Sequence, residues 1–254
     1  MYDLEGKRSL VLCGTRGIGL GVAHCLARQG SSVTVSGSDH DRALTAVQLL
    51  PGTGHSAFSC DFADPTNVGD RVAETGPYDI IVLNSPGAPP DTVEQVSMAG
   101  LRHAMDLMLL SLRNAVDAGL PAMRRNRWGR LIAITSSSLS MPITDLATSS
   151  VARAAVRPYL KLLADSVAGF GITVNYVIPG KINTDRLRSA DAASARRLGT
   201  DVGSVATTAM EAIPLGRYGT PEDVGELVAF LASDRAAYIT GTGIRCDGGL
   251  DRSI

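Results

Sequence analysis

Long apolar runs are missing from this sequence: no stretch approaches the roughly 18 uncharged residues of a membrane-spanning helix. An excess charge of one sign is missing too. The 24 Lys and Arg balance 25 Asp and Glu to a net charge of −1, which gives no reason to expect nucleic acid or an anionic membrane as partner. Aromatic residues make up only 4%, yet the hydrophobic share is 44%, ample for a buried core and enough to exclude a disordered chain. Cysteine is sparse, and Cys13, Cys25, Cys60 and Cys246 stand without CxxC spacing. They read as small buried hydrophobes rather than disulfides or zinc ligands, so no metal is expected. Residues 1–8 show no signal-peptide pattern before the first apolar strand. A cytoplasmic setting is expected.

Glycine is what the sequence has in excess: 27 residues, where the usual frequency would give roughly 18. Around these glycines, short aliphatic runs alternate with longer helical patterns. Strands are expected at 9–12, 32–36, 56–60, 79–83, 130–135, 171–178 and 243–246. Helices are expected at 20–29, 41–50, 101–125, 149–168 and 221–233, with Pro158 kinking the fourth. The run 79–83 is almost wholly apolar and should be buried on both faces. This alternation implies a single-domain α/β fold of the Rossmann type, a doubly wound and mostly parallel sheet with helices on both faces. No linker or repeat divides residues 1–254. The stretch 185–212, rich in Ala, Arg and Asp, departs longest from the alternation; it reads either as a surface helix pair or as a lid over a substrate pocket.

The first strand runs into Cys13-Gly14-Thr15-Arg16-Gly17-Ile18-Gly19 and then a helix. Glycines there permit a tight turn and let a diphosphate approach the helix N-terminus, where free N–H groups and the helix dipole favour anions. Further along stand Cys60-Asp61-Phe62, the run from Asp79 to Asn84, Trp128-Gly129-Arg130, Gly171-Ile172-Thr173-Val174-Asn175, Pro179 to Thr184, Ile213 to Arg217, Tyr238 to Gly241 and Asp247-Gly248-Gly249. Taken in order, these motifs resemble the short-chain dehydrogenase/reductase family, in particular its 3-oxoacyl-ACP-reductase-like branch, over essentially the whole chain.

The resemblance implies a nicotinamide cofactor. Gly14, Thr15, Arg16, Gly17, Ile18 and Gly19 would hold its diphosphate, Asp61 and Phe62 would frame the adenine, and Asn84 would lie beside the adenosine ribose. Pro179, Gly180, Ile182 and Thr184 would contact the nicotinamide side. Where NAD-specific relatives carry an acidic residue at the end of the second strand, this chain has Gly37 followed by Ser38, with Arg16 facing the same region. A missing carboxylate beside a hydroxyl and a guanidinium favours NADPH, although Asp39 stands close. Cys13 occupies the place of the first family glycine. The family also assembles through two long helices, so a homo-oligomer, tetramer or dimer, is expected.

The family's catalytic relay is Asn, Ser, Tyr and Lys, and three of these four are changed. Counting from Gly129 leads to Ser136, which keeps the serine. The tyrosine position is Ser149, the lysine position Arg153 and the asparagine position Met108. Tyr159 lies ten residues beyond Ser149, about 15 Å along a helix and roughly 280° around it, too far to substitute. Tyr176, His103 and Asp145 are expected to have structural roles. A serine hydroxyl is a far weaker acid than a phenol of pKa about 10, and an arginine cannot shuttle protons but still bonds ribose hydroxyls. The expected catalytic set is therefore Ser136, Ser149 and Arg153. Three readings follow: an NADPH-dependent reductase whose small-molecule acceptor needs no tyrosine proton, such as an iminium or cyclic hemiaminal; an NADP(H)-binding protein without turnover; or a non-redox lyase or isomerase.

Overall fold

The computed structural model describes residues 3–253. Seven strands form one sheet: β1 (Arg8–Val11), β2 (Ser32–Gly37), β3 (Ser56–Ser59), β4 (Ile80–Leu83), β5 (Gly129–Ile134), β6 (Ile172–Pro179) and β7 (Gly243–Cys246). The helices are α1 (Gly17–Arg28), α2 (His40–Gln48), α3 (Pro65–Thr75), α4 (Met98–Met105), α5 (Ser111–Asn126), α6 (Ala147–Val167), α7 (Asp185–Leu198), α8 (Val202–Glu211) and α9 (Pro221–Ala232). The strand order is β3-β2-β1-β4-β5-β6-β7, and every pairing is parallel. The order reverses between β1 and β4. Ligands of such sheets bind in the crevice at that reversal, beyond the carboxyl ends of the strands.

Strand side chains alternate between two apolar layers, as a period of two requires. Leu10, Ile81 and Leu83 join one layer with residues of α3, α5 and α6. Val11, Ile80 and Val82 join the other with residues of α1 and α9. All four residues of β4 are buried, as its apolar run foretold.

Two expectations need correction. The segment after β3 contains α3, which the alternation did not anticipate. Asp64 caps it, accepting from Thr66 N and Asn67 N at 3.0 and 3.3 Å, and Val68 and Val72 face the core. The long helix expected at 101–125 begins at Met98 and is broken by one π-helical turn, Asp106–Leu110. The helix α6 carries Pro158 within its length. The stretch 185–212 folds as two helices, α7 and α8.

Candidate active site

The glycine-rich turn is built by backbone necessity. Cys13 takes a left-handed φ of 50°, the conformation that glycine supplies in the family pattern and that other residues adopt at a cost. A Cβ on Gly19 would overlap the Cys13 carbonyl oxygen and sit 2.9 Å from the Gly14 Cα, so the turn closes only over glycine. Asn84 Nδ2 donates to Cys13 O at 3.2 Å and pins the turn to the end of β4. Arg16 precedes α1 without a side-chain cap, and no acidic residue stands in the first turn. The first N–H groups of α1 thus lack a side-chain cap, an arrangement that fits a diphosphate. Thr184 closes over it, its methyl 3.2 Å from the place a Cβ on Gly17 would take.

The remaining cofactor candidates gather around this turn. Ser38 is exposed beyond the end of β2, and Asp39 turns its carboxylate to α2, accepting from Arg42 N at 2.8 Å. No carboxylate at the strand end opposes a 2′-phosphate. Asp61 is exposed and accepts from Ala63 N at 2.8 Å. Phe62, however, is buried in the core, so it can offer an adenine only its backbone. Ile182 is buried as well, and the run from Gly180 to Thr184 is fixed by backbone bonds Gly180 N to Cys246 O (3.0 Å) and Asn183 N to Gly219 O (2.8 Å). Pro179 ends β6 immediately before it.

At the other end of the crevice, β5 delivers Ser136. Its Oγ accepts from Ser138 N at 3.1 Å, which leaves its proton free for a ligand. Ser149 is only 4% exposed and Met108 1%; the serine hydroxyl donates weakly to the methionine sulfur at 3.9 Å. Met108 sits in the π-helical turn. The two changed positions therefore fill each other's space, and Ser149 does not present a free hydroxyl as expected. Arg153, one helical turn on, is half-buried and reaches the carbonyls of Ile134 and Thr135 at 3.5 and 3.4 Å. Burial, with a smaller contribution from the nearby charge of Arg186, pushes its guanidinium down to about 10; at neutral pH it remains a cation.

Among the described residues, the side chains weighed as substitutes for a phenol are engaged elsewhere. Tyr159 feels Asp117 and Arg113 rather than the crevice, and burial raises it to about 12. Tyr176 is buried in the core, His103 is exposed, and Asp145 pairs with Arg197 at 2.9 Å.

Two residues that the sequence did not single out shape the site. Asp91, in the loop after β4, accepts from Thr148 N at 3.0 Å and binds the Thr148 hydroxyl, anchoring the first turn of α6 that carries Ser149. Arg186, at the start of α7, crosses to the same loop and donates to Ala88 O at 3.3 Å. The α7 helix is also tied by Tyr218, whose OH donates to Asp191 Oδ2 at 2.9 Å. Only an acidic residue before a helix and an arginine after Thr184 marked these positions, and neither pattern is specific.

Comparison with known proteins agrees with this geometry. The enoyl-(acyl carrier protein) reductase family model matches residues 13–251. The 3-oxoacyl-[acyl-carrier-protein] reductase FabG of Rickettsia conorii is 32% identical over 98% of this chain and 99% of its own. Among solved structures, YwfH, an NADPH-dependent reductase involved in bacilysin biosynthesis, superposes with a TM-score of 0.92 at 26% identity, covering 98% of this chain and 99% of its own. A short-chain oxidoreductase of Pseudomonas aeruginosa PAO1, solved with NADPH and described as containing an atypical catalytic centre, has a TM-score of 0.88 at 27% identity over 100% of both chains.

Proposed function

The chain belongs to the short-chain dehydrogenase/reductase family of NAD(P)-dependent oxidoreductases, and from that premise we propose that it is an NADPH-dependent reductase acting on carbon–nitrogen double bonds, an iminium or the iminium formed from a cyclic hemiaminal. The observation that carries this reading is the pairing of Ser149 with Met108, which leaves no acidic hydroxyl where a carbonyl oxygen would need one.

NADPH bound in the crevice supplies a hydride to the acceptor carbon. Reduction of a ketone leaves an alkoxide, and loss of the general acid that protonates it typically forfeits about 10²- to 10⁴-fold in rate. In an iminium the C=N π pair returns to nitrogen and the product is neutral, so no side-chain proton is called for. Ser136, with its proton free, orients the acceptor or assists the departing hydroxide of a hemiaminal. Arg153 holds ribose hydroxyls in place of lysine and supplies positive charge. Gly37, Ser38 and Arg16 support the preference for NADPH over NADH. The α7–α8 pair acts as a lid, a role supported by its contacts with the loop after β4 and with Asp145. Exposed Leu110, Val151 and Leu162 support self-association through the long helices.

Steady-state NADPH oxidation against matched cyclic imines, hemiaminals and ketones tests the reading. Imines should be reduced at least about 100-fold faster than ketones, with deuterium from deuterated NADPH in the product. The same Ser149–Met108 filling favours a second reading, an NADP(H)-binding protein without turnover. Tight NADPH binding with no oxidation across the panel would establish that reading instead.

A further inference from the structure

Two guanidinium groups converge beyond the carboxyl ends of the adjacent strands β4 and β5. Arg153 comes from α6 and rests on the Ile134 and Thr135 carbonyls. Arg186 comes from α7 and lies on the loop after β4, donating to Ala88 O at 3.3 Å. Its seat requires Gly87, where a Cβ would overlap the Arg186 guanidinium. Strands β4 and β5 run in parallel with Leu83 beside Ala133, so the loop that seats Arg186 leaves the sheet next to the Ile134 and Thr135 carbonyls that seat Arg153. Among the described residues, neither forms an ion pair, whereas Arg188 and Arg197 of the same helix pair with Asp185 and Asp145.

Like charges on neighbouring seats repel and favour an anion between them, and guanidinium groups match a carboxylate with forked hydrogen bonds. A positively charged iminium alone would meet two cations here. We infer that Arg153 and Arg186 together bind a carboxylate of the acceptor, so that the substrate is an imino acid whose carboxylate lies beside the C=N bond. This deepens the reductase reading and rests on it. The carboxylate offsets one of the pair's two positive charges, fixes the C=N carbon near Ser136, and draws the start of α7 onto the ligand.

Calorimetric titration of the NADPH-loaded protein with redox-inert pairs, benzoate against benzamide and cyclohexanecarboxylate against its carboxamide, tests the inference without turnover. At least one carboxylate should bind about tenfold tighter than its amide. Arg186→Gln should erase that preference and leave NADPH affinity within about twofold. Gly87→Ala, which keeps both charges but displaces Arg186, should reduce the preference as well. No carboxylate preference above about twofold would overturn the inference. So would an equal loss of NADPH affinity in Arg186→Gln, because Arg186 would then serve the cofactor's own diphosphate. Oxidation of NADPH by 1-pyrroline-2-carboxylate and 1-piperideine-2-carboxylate, with 1-pyrroline itself as the neutral comparison, reads the reductase proposal separately. Silence with all three imines would sink that reading while leaving the titration result standing.

Discussion

Ser149 and Met108 share a volume that belongs to a tyrosine and an asparagine in the family pattern, and this sets what substitution can do. Placing a tyrosine at 149 alone forces a ring against the buried Met108 side chain. Overpacking of this kind costs about 1–3 kcal/mol, so Ser149→Tyr should lower the thermal midpoint without creating ketone reductase activity. Combining Met108→Asn, Ser149→Tyr and Arg153→Lys relieves the clash and restores the relay; ketone reduction should rise about 10²-fold or more over the parent. A triple variant that folds and binds NADPH but reduces no ketone would refute this account of the substitutions. Cys13 offers a second residue-level test. Its left-handed φ of 50° is least tolerable to a β-branched side chain, so Cys13→Val should destabilise the fold by about 1–2 kcal/mol in denaturant titration. The assignment of Ser149 and Met108 to the relay positions is a reading of spacing alone. That the two fill each other's space was not legible there, because Met108 and Ser149 are 41 positions apart and meet only across packed helices.

At the scale of elements, the start of α6 depends on a single carboxylate from another part of the chain. Asp91 accepts from Thr148 N at 3.0 Å and also binds its hydroxyl, in the manner of a helix cap supplied by a distant loop. Asp91→Ala should cost about 1–2 kcal/mol of stability and weaken NADPH binding by loosening Arg153. Unchanged melting temperature and cofactor affinity would show the contact to be dispensable. The helices and strands were legible where periodicity is strong, as in β4 and α9. The helix α3 was passed over although Asp64 followed by Pro65 is a start signal, because only Val68 and Val72 mark its buried face. The π-helical turn at Asp106–Leu110 has no residue signature; such turns arise where one extra residue is absorbed into a packed helix. For 185–212 the sequence left a helix pair and a lid open. The folded segment is a helix pair, and its contacts across the crevice give the lid reading its support.

The whole molecule has an alkaline limit written into two tyrosines. Burial raises Tyr159 and Tyr218 to about 12, with Asp117 and Asp191 adding to it, whereas an unfolded phenol ionises near pH 10. Between these values the unfolded chain has lost protons that the folded chain keeps. Their contribution to stability is therefore intact below pH 10 and falls as pH rises toward 12. Unfolding measured against pH should steepen in this window, and the double change Tyr159→Phe and Tyr218→Phe should flatten the slope there. An identical slope in the double variant would remove both groups from the explanation. Among the described residues, no helix is long and apolar enough to cross a membrane.

Taken by itself, the sequence determined the doubly wound parallel fold, because strict alternation of apolar runs and helical patterns admits few other arrangements of buried strands. It also determined the tight glycine turn, since glycine at 19 lets backbone close on backbone and glycine at 17 takes a positive φ. Counting from Gly129 also placed Ser149, Arg153 and Met108 where the resemblance implies a tyrosine, a lysine and an asparagine. Only the tertiary structure decided what surrounds those positions. A weak Ser149–Met108 contact depends on how α6 packs on the π-helical turn, and the seating of Arg186 on the Ala88 carbonyl depends on α7 folding back over the loop after β4. Such contacts link residues far apart in the chain and carry no local pattern, so the chemistry of this site becomes visible only once the helices are docked.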